Sequence, residues 1–271
     1  MSRRSTFLLS ALVVGYAFLY IPIALVIGFS FNESRSVAVW SGFSTKWYAA
    51  LWENDALLGA VGLSLRIATV AATVAVVIGT AAAFALDRFR RLPAKPAFAL
   101  LLATPLILPE TITGFSLLLL FVWLEEAVGW PGGRGATTIT LAHVTLGIAF
   151  ATVVILARLR QLDRTLEAAA ADLGATGWVT FRTVTLPLLA PAMLAAWLLA
   201  FTLSLDDLVI ASFVSGPGSS TLPMVVFSSV RLGVSPQVNA LATLLVVAVT
   251  VVLGLAAWLL ARHERRRRQA A

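Results

Sequence analysis

From Phe7 to Phe31 the chain runs through 25 residues without one charged side chain. A helix needs about 20 apolar residues to cross a bilayer, and inside hydrocarbon only helices or closed barrels satisfy their own backbone groups. Comparable runs recur at about Leu63–Leu86, Ala97–Leu124, Ala136–Ala157, Pro191–Phe213 and Val238–Ala261. They restrict the chain to an all-α membrane protein with six transmembrane helices. Arg3 and Arg4 precede the first run, which raises a cleaved leader as the alternative. The run is too long for one and lacks a small-x-small cleavage site at its end, so it reads as an uncleaved first helix.

The charges orient these helices. The chain carries a net charge of +7 although only 12% of its residues are charged. Fifteen of its twenty Lys and Arg fall in Arg3–Arg4, Arg88–Lys95, Arg158–Arg182 and Arg262–Arg268. By the positive-inside rule these four regions are cytoplasmic, and so are both termini. Topology therefore accounts for the excess charge, and no nucleic-acid partner is needed to explain it. The tail His263–Arg268 has acidic headgroups as its second possible use. Zero cysteines remove thiolate chemistry and disulfides, and two histidines are too few for a His-rich metal site. One membrane domain, 1–271, accounts for the whole chain, with helices two to six over about 63–261.

Proline and aromatic residues add detail. Pro105 and Pro109 kink or break the third run near its middle. Trp40, Trp47, Tyr48 and Trp52 in the first outer loop suit an interfacial belt, with a ligand role as the alternative. His143 reads as a hydrogen-bonded packing residue rather than a ligand.

The cytoplasmic stretch Leu166–Pro191, LEAAAADLGATGWVTFRTVTLPLLAP, departs from the membrane-grade pattern. Leu159, Leu162, Leu166, Ala169 and Leu173 recur at three- and four-residue spacing, which predicts an amphipathic helix. Gly174 is placed to end it in a left-handed conformation. A second helical run, Trp178–Thr185, is expected to stop at Leu186-Pro187. A membrane protein that displays such a unit in water offers it to another protein. The chain lacks a phosphate loop ending in Gly-Lys-Ser or Gly-Lys-Thr, and also HExxH and GxSxG patterns. No catalytic constellation is visible.

Three acids fall inside the runs: Glu110, Asp206 and Asp207. Each buried charge costs roughly 2.5 to 3.5 kcal/mol on insertion scales, so each needs a polar cavity or a partner. Without a matching intramembrane base they point to a path for a cationic solute, to which Ser204 adds a hydroxyl. Local capping or pairing, for example with Arg231 or Arg66, is the structural alternative.

The cytoplasmic stretch resembles the EAA motif of ABC importer permeases: Glu-Ala-Ala, three residues, Gly, nine residues, Ile-x-Leu-Pro. Ala168, Ala169 and Ala170 precede Gly174 at the right distance, and Val184-Thr185-Leu186-Pro187 follows. The motif's Glu position holds Ala168, with the acid one residue earlier at Glu167. The run AFTLSLDDLVIASFVSGPG, Ala200–Gly218, together with Trp47-Tyr48, Ile112-Thr113-Gly114 and Leu141–Thr145, resembles the polyamine branch of these permeases, in the second-subunit form of putrescine importers. The resemblance covers nearly the whole chain.

The resemblance implies the type I ABC importer permease (MetI-like) fold and a multi-pass protein of the bacterial inner membrane. It implies a second permease subunit as heterodimer partner, a cytoplasmic ABC ATPase dimer that holds ATP and Mg, and a periplasmic polyamine-binding protein. This chain would carry no cofactor and no ATPase site. A coupling loop at about 158–190 would dock the ATPase through Glu167, Ala168, Ala169, Ala170, Asp172, Leu173, Gly174, Leu186 and Pro187. The solute path would use Glu110, Ser204, Asp206, Asp207 and Trp47. An importer of another solute and a standalone secondary transporter are the alternatives.

Overall fold

The computed structural model describes residues 3–36, 39–89, 94–232 and 236–269. Arg90 and Arg91 of the basic turn lie outside them, as do the side chains of the basic tail His263–Arg268. Among the described residues there are twelve α-helices, one π-helical segment and no strand. They belong to two compact units, Met1–Leu58 with Val226–Ala271, and Gly59–Val225.

In the first unit, α1 (Arg3–Ser30) is apolar on every side and none of its spanning window is buried, as suits a helix surrounded by lipid. A short loop then folds around Asn32. Its amide donates to the carbonyls of Ser36 and Val39 at 2.9 and 2.7 Å, and its side-chain oxygen accepts from Ser41 N–H at 2.9 Å. That loop leads to α2 (Lys46–Trp52). Asn54 donates to Gln237 at the start of α12 (Pro236–Gln269), at 2.8 Å.

The second unit is built on α3 (Asp55–Arg88), α6 (Ala136–Gln161) and α9 (Leu186–Asp206). Ala68, Ala71, Ala72 and Ala75 recur at helical spacing on α3 and are fully buried. Small residues let the backbones come close, which in lipid replaces the hydrophobic drive between helices. A Cβ added at Gly79 would lie 2.8 Å from Ala151 Cβ and 3.1 Å from the Thr152 backbone nitrogen. One added at Gly147 would lie 2.8 Å from Ala75 Cβ. Only glycine fits at either crossing.

Five helices among the described residues are long and apolar enough to span a membrane: Phe7–Ser30, Asp55–Arg88, Glu110–Val128, Ala136–Gln161 and Gly177–Asp206. The predicted third span is divided at Leu108-Pro109 into α4 (Lys95–Ile107) and α5 (Glu110–Val128); Pro109 stands at the break, whereas Pro105 lies inside α4. The predicted sixth span falls on α12, a continuous helix whose described apolar part is Pro236–Val251.

Two sequence expectations change. The apolar stripe from Leu159 to Leu173 is not one helix. Helix α6 stops at Gln161, Leu162 is extended, and α7 (Thr165–Asp172) starts anew. The cause is Asp163, whose carboxylate accepts the Thr165 N–H at 2.9 Å and so caps a new first turn.

Nor does Leu186-Pro187 end the second helical run. From α8 (Gly177–Thr180) the chain passes through a π-helical segment, Phe181–Thr185, directly into α9. The Leu186 N–H reaches back five residues to the Phe181 carbonyl. That wider turn accommodates a proline that cannot donate, and the helix continues.

Candidate functional site

Helix α9 ends at Asp206, and Asp207 takes an extended conformation before α10 (Val209–Val214) begins. The Asp207 carboxylate explains the new start. It accepts the Ile210 and Ala211 N–H groups at 3.2 and 2.7 Å, two donors that the first turn of α10 leaves free. One of its oxygens also lies 3.1 Å from Nε2 of His143 on α6. The other ring nitrogen of His143 is 2.6 Å from the Ser204 hydroxyl. The His143 and Asp207 side chains are 2% and 6% exposed. An ionised carboxylate can only accept, so Nε2 donates to Asp207, and a neutral ring then accepts the Ser204 proton at Nδ1.

His143 is therefore the hydrogen-bonded packing residue the sequence predicts, and, against the expectation of acids without an intramembrane base, it gives Asp207 an imidazole partner. Its partners lie 61 and 64 residues away, beyond any local pattern.

Asp206 and Glu110 are different. Both are exposed, and among the described residues neither carboxylate has an ion pair. Glu110 opens α5 directly after Pro109. Helices α5 and α10 meet at Gly114, where an added Cβ would lie 2.8 Å from the Phe213 ring and 3.2 Å from Ile210 Cα. Phe115 and Phe213 pack edge to face beside it. Each of these exposed carboxylates thus precedes this contact by four residues, at a break in its own helix.

Trp47 is placed otherwise than the path reading expects. It belongs to the first unit, its ring is buried, and its N–H donates to the Asn32 carbonyl at 2.6 Å. Lys46 Nζ lies 5.1 Å from the ring centre. The indole is spent on packing, whereas Trp40 and Trp52 are exposed.

The cytoplasmic unit closes at Gly174, with φ of +83°. Gly174 N–H donates to the Ala171 carbonyl at 2.9 Å, and Ala175 N–H to the Ala170 carbonyl at 3.0 Å. These paired bonds satisfy the orphan carbonyls of α7 and need a left-handed residue, as the glycine predicts. Thr176 then caps α8. The turn projects Leu173, 90% exposed, and Trp178, 70% exposed. Ala168, Ala169 and Asp172 are exposed as well, and Ala170 is half-buried. At the other end of α7 the Thr165 backbone N–H holds the Asp163 carboxyl below its usual pKa.

Glu167 points elsewhere. Its Oε1 accepts from Arg88 Nη2 and from the Thr185 hydroxyl, both at 2.7 Å. Beside it, Arg164 donates to Asp87 at 2.9 Å. Glu167, Arg88 and Thr185 also line a cavity of about 270 Å³ between α3, α7 and the π-helical segment. Among the described residues no group of three His, Asp or Glu side chains is placed to hold a metal ion.

The chain matches known proteins over nearly its whole length. The model of the family described as binding-protein-dependent transport system inner membrane component matches residues 75–269. The putrescine transport system permease protein PotI of Escherichia coli K12 is 55% identical over 97% of this chain and 94% of its own. The spermidine/putrescine transport system permease protein PotC of the same strain is 42% identical over 92% and 91%. A solved bacterial ABC transporter involved in the import of the acidic polysaccharide alginate shares the fold, with a TM-score of 0.72 at 14% identity over 96% of this chain and 94% of that one. The chain is a multi-pass inner-membrane protein, and it belongs to the binding-protein-dependent transport system inner membrane components, in the polyamine branch of the ABC importer permeases.

Proposed function

We propose that this permease carries polyamines, putrescine first among them, through a path whose two open carboxylates are Glu110 and Asp206. The observation that carries the reading is their exposure. The buried Asp207 is saturated by His143 and two backbone donors, while Glu110 and Asp206 stand exposed at helix breaks, without an ion pair among the described residues. A diamine presents two ammonium groups on a flexible apolar chain, and two separate carboxylates meet both. Such acids must bind weakly enough to release what they accept. Asp207 and Ser204 shape the break, and Trp47 braces the outer loop.

ATP and Mg act on a separate ATPase pair, since the sequence carries no phosphate loop. That ATPase docks on the turn that projects Leu173 and Trp178, flanked by Ala168, Ala169, Ala170, Asp172 and Gly174. Leu186 and Pro187 carry the docked unit into α9. A second, different permease and a periplasmic polyamine-binding protein complete the importer, and the whole chain acts as one permease domain with its coupling loop at about 158–190.

The test is reconstitution in proteoliposomes with these partners. Putrescine should stimulate ATP hydrolysis and accumulate inside, and Glu110→Gln with Asp206→Asn should lower uptake at least about tenfold, the loss of one to two charge-assisted contacts. Unchanged uptake in that double variant would remove both acids from the path. Accumulation by this chain alone, without ATP, would instead make it a secondary transporter, and uptake indifferent to competing putrescine would mean another solute.

A further inference from the structure

We infer that Glu167 is a positioning residue that clamps the cytoplasmic unit to two spanning helices, and that ATPase docking does not use its carboxylate. This rests on the importer reading above. Glu167 lies in the first turn of α7, but its carboxylate faces the membrane domain. A single oxygen, Oε1, accepts from Arg88 in the last turn of α3 and from Thr185 at the end of the π-helical segment that feeds α9. One side chain therefore joins three elements: α7, α3 and the root of α9.

The surroundings reinforce the tie. The neighbouring residue on α3, Asp87, accepts from Arg164, which immediately precedes α7. The last turn of α3 thus grips α7 by its start and by its first turn. Phe84, one turn earlier on α3, packs edge to face on Phe181 of the π-helical segment, with ring centres 5.3 Å apart.

The magnitude supports a mechanical role. Exposed ion pairs contribute little, because solvent and salt screen them. The Arg88 and Glu167 side chains are only 21% and 25% exposed, and the 2.7 Å bond is of the short, charge-assisted kind. The outward face of α7 offers Ala168 and Ala169 as methyl groups, and Leu173 at the turn is 90% exposed. Docking through this face rests mainly on apolar groups, with Asp172 beside them, and the clamp behind it passes displacement of the docked unit to α3 and α9 together.

The test separates docking from transmission. In the complete importer, Glu167→Gln should retain the ATPase at wild-type stoichiometry and continue to hydrolyse ATP, while solute moved per ATP falls about tenfold. Arg88→Glu should show the same split, and Arg88→Glu combined with Glu167→Arg should recover a large part of the ratio, which a purely local packing role would not do. Should Glu167→Gln fail to reach the membrane, Thr185→Val removes only the hydroxyl donor and should lower the ratio by a smaller factor, about threefold. Loss of the ATPase from the Glu167→Gln complex would make Glu167 a docking contact and overturn the proposal. An unchanged ratio in these variants would overturn it as well. A wild-type chain that retains no ATPase overturns the importer reading first, and this proposal with it.

Discussion

Helices α6 and α5 are both apolar enough to cross a membrane, yet 50% of the spanning window of α6 is buried in protein and 11% of that of α5. Helix α6 buries large residues such as Ile139, Ile155 and Leu159, and beside them a set of small ones that α5 lacks. The buried positions of α6 include Ala142, Gly147, Ala149, Ala151 and Thr152, and α5 buries only Gly114 and Phe121. Its large residues, Leu119, Leu120 and Trp123, face outward. Small residues mark the side of a span that meets another helix, and bulky ones the side that meets lipid or a partner.

Substitution should expose this contrast, and the largest effect is expected where α3 crosses α6. Gly79→Leu forces a side chain against the Thr152 backbone, which cannot yield as a side-chain tip would, and should cost about 3 kcal/mol. Thermal unfolding in detergent would register it, and an unshifted midpoint would break the claim that α6 is held by close approach. His143→Ala comes next. It strips the Asp207–Ser204 pair of its shared partner while two backbone donors stay on Asp207, so about 2 kcal/mol is expected.

Thr138→Val removes a hydroxyl within 2.7 Å of the Val214 carbonyl and 2.8 Å of the Gly135 carbonyl and amide, at a cost of about 1 kcal/mol. Leu119→Ala on the outward face of α5 should stay within about 0.5 kcal/mol in the isolated chain. A larger loss when the partner permease is present would sharpen the contrast, because it would assign that face to protein instead of lipid.

Much of this was legible in the sequence, for physical reasons. Pro109 and the Gly174 turn are local features, and the structure shows a helix break and a left-handed turn where they stand. Of six predicted spans, five helices among the described residues are long and apolar enough, and the fifth predicted span, Pro191–Phe213, is broken at Asp207. Partners are not local. His143 finds Ser204 and Asp207 across two helices, and Glu167 finds Arg88 from 79 residues away, so neither pairing leaves a trace in spacing. Periodicity also misleads where a cap interrupts it. The leucines from Leu159 to Leu173 keep helical spacing across a break that Asp163 makes with one hydrogen bond. Trp47 shows the same limit from the other side: nothing about an isolated tryptophan tells whether its ring is open or, as here, committed to a neighbouring carbonyl.

The π-helical segment Phe181–Thr185 acts as a phase shifter. An α-helix advances about 100° per residue, and a turn closed over five residues instead of four inserts one such step. Everything from Leu186 to Asp206 is therefore rotated by about that angle relative to an unbroken continuation of α8. The bearing of Asp206 relative to Trp178 depends on this added residue, so deleting one residue from the segment would turn the carboxylate about the helix axis with every remaining side chain chemically unchanged.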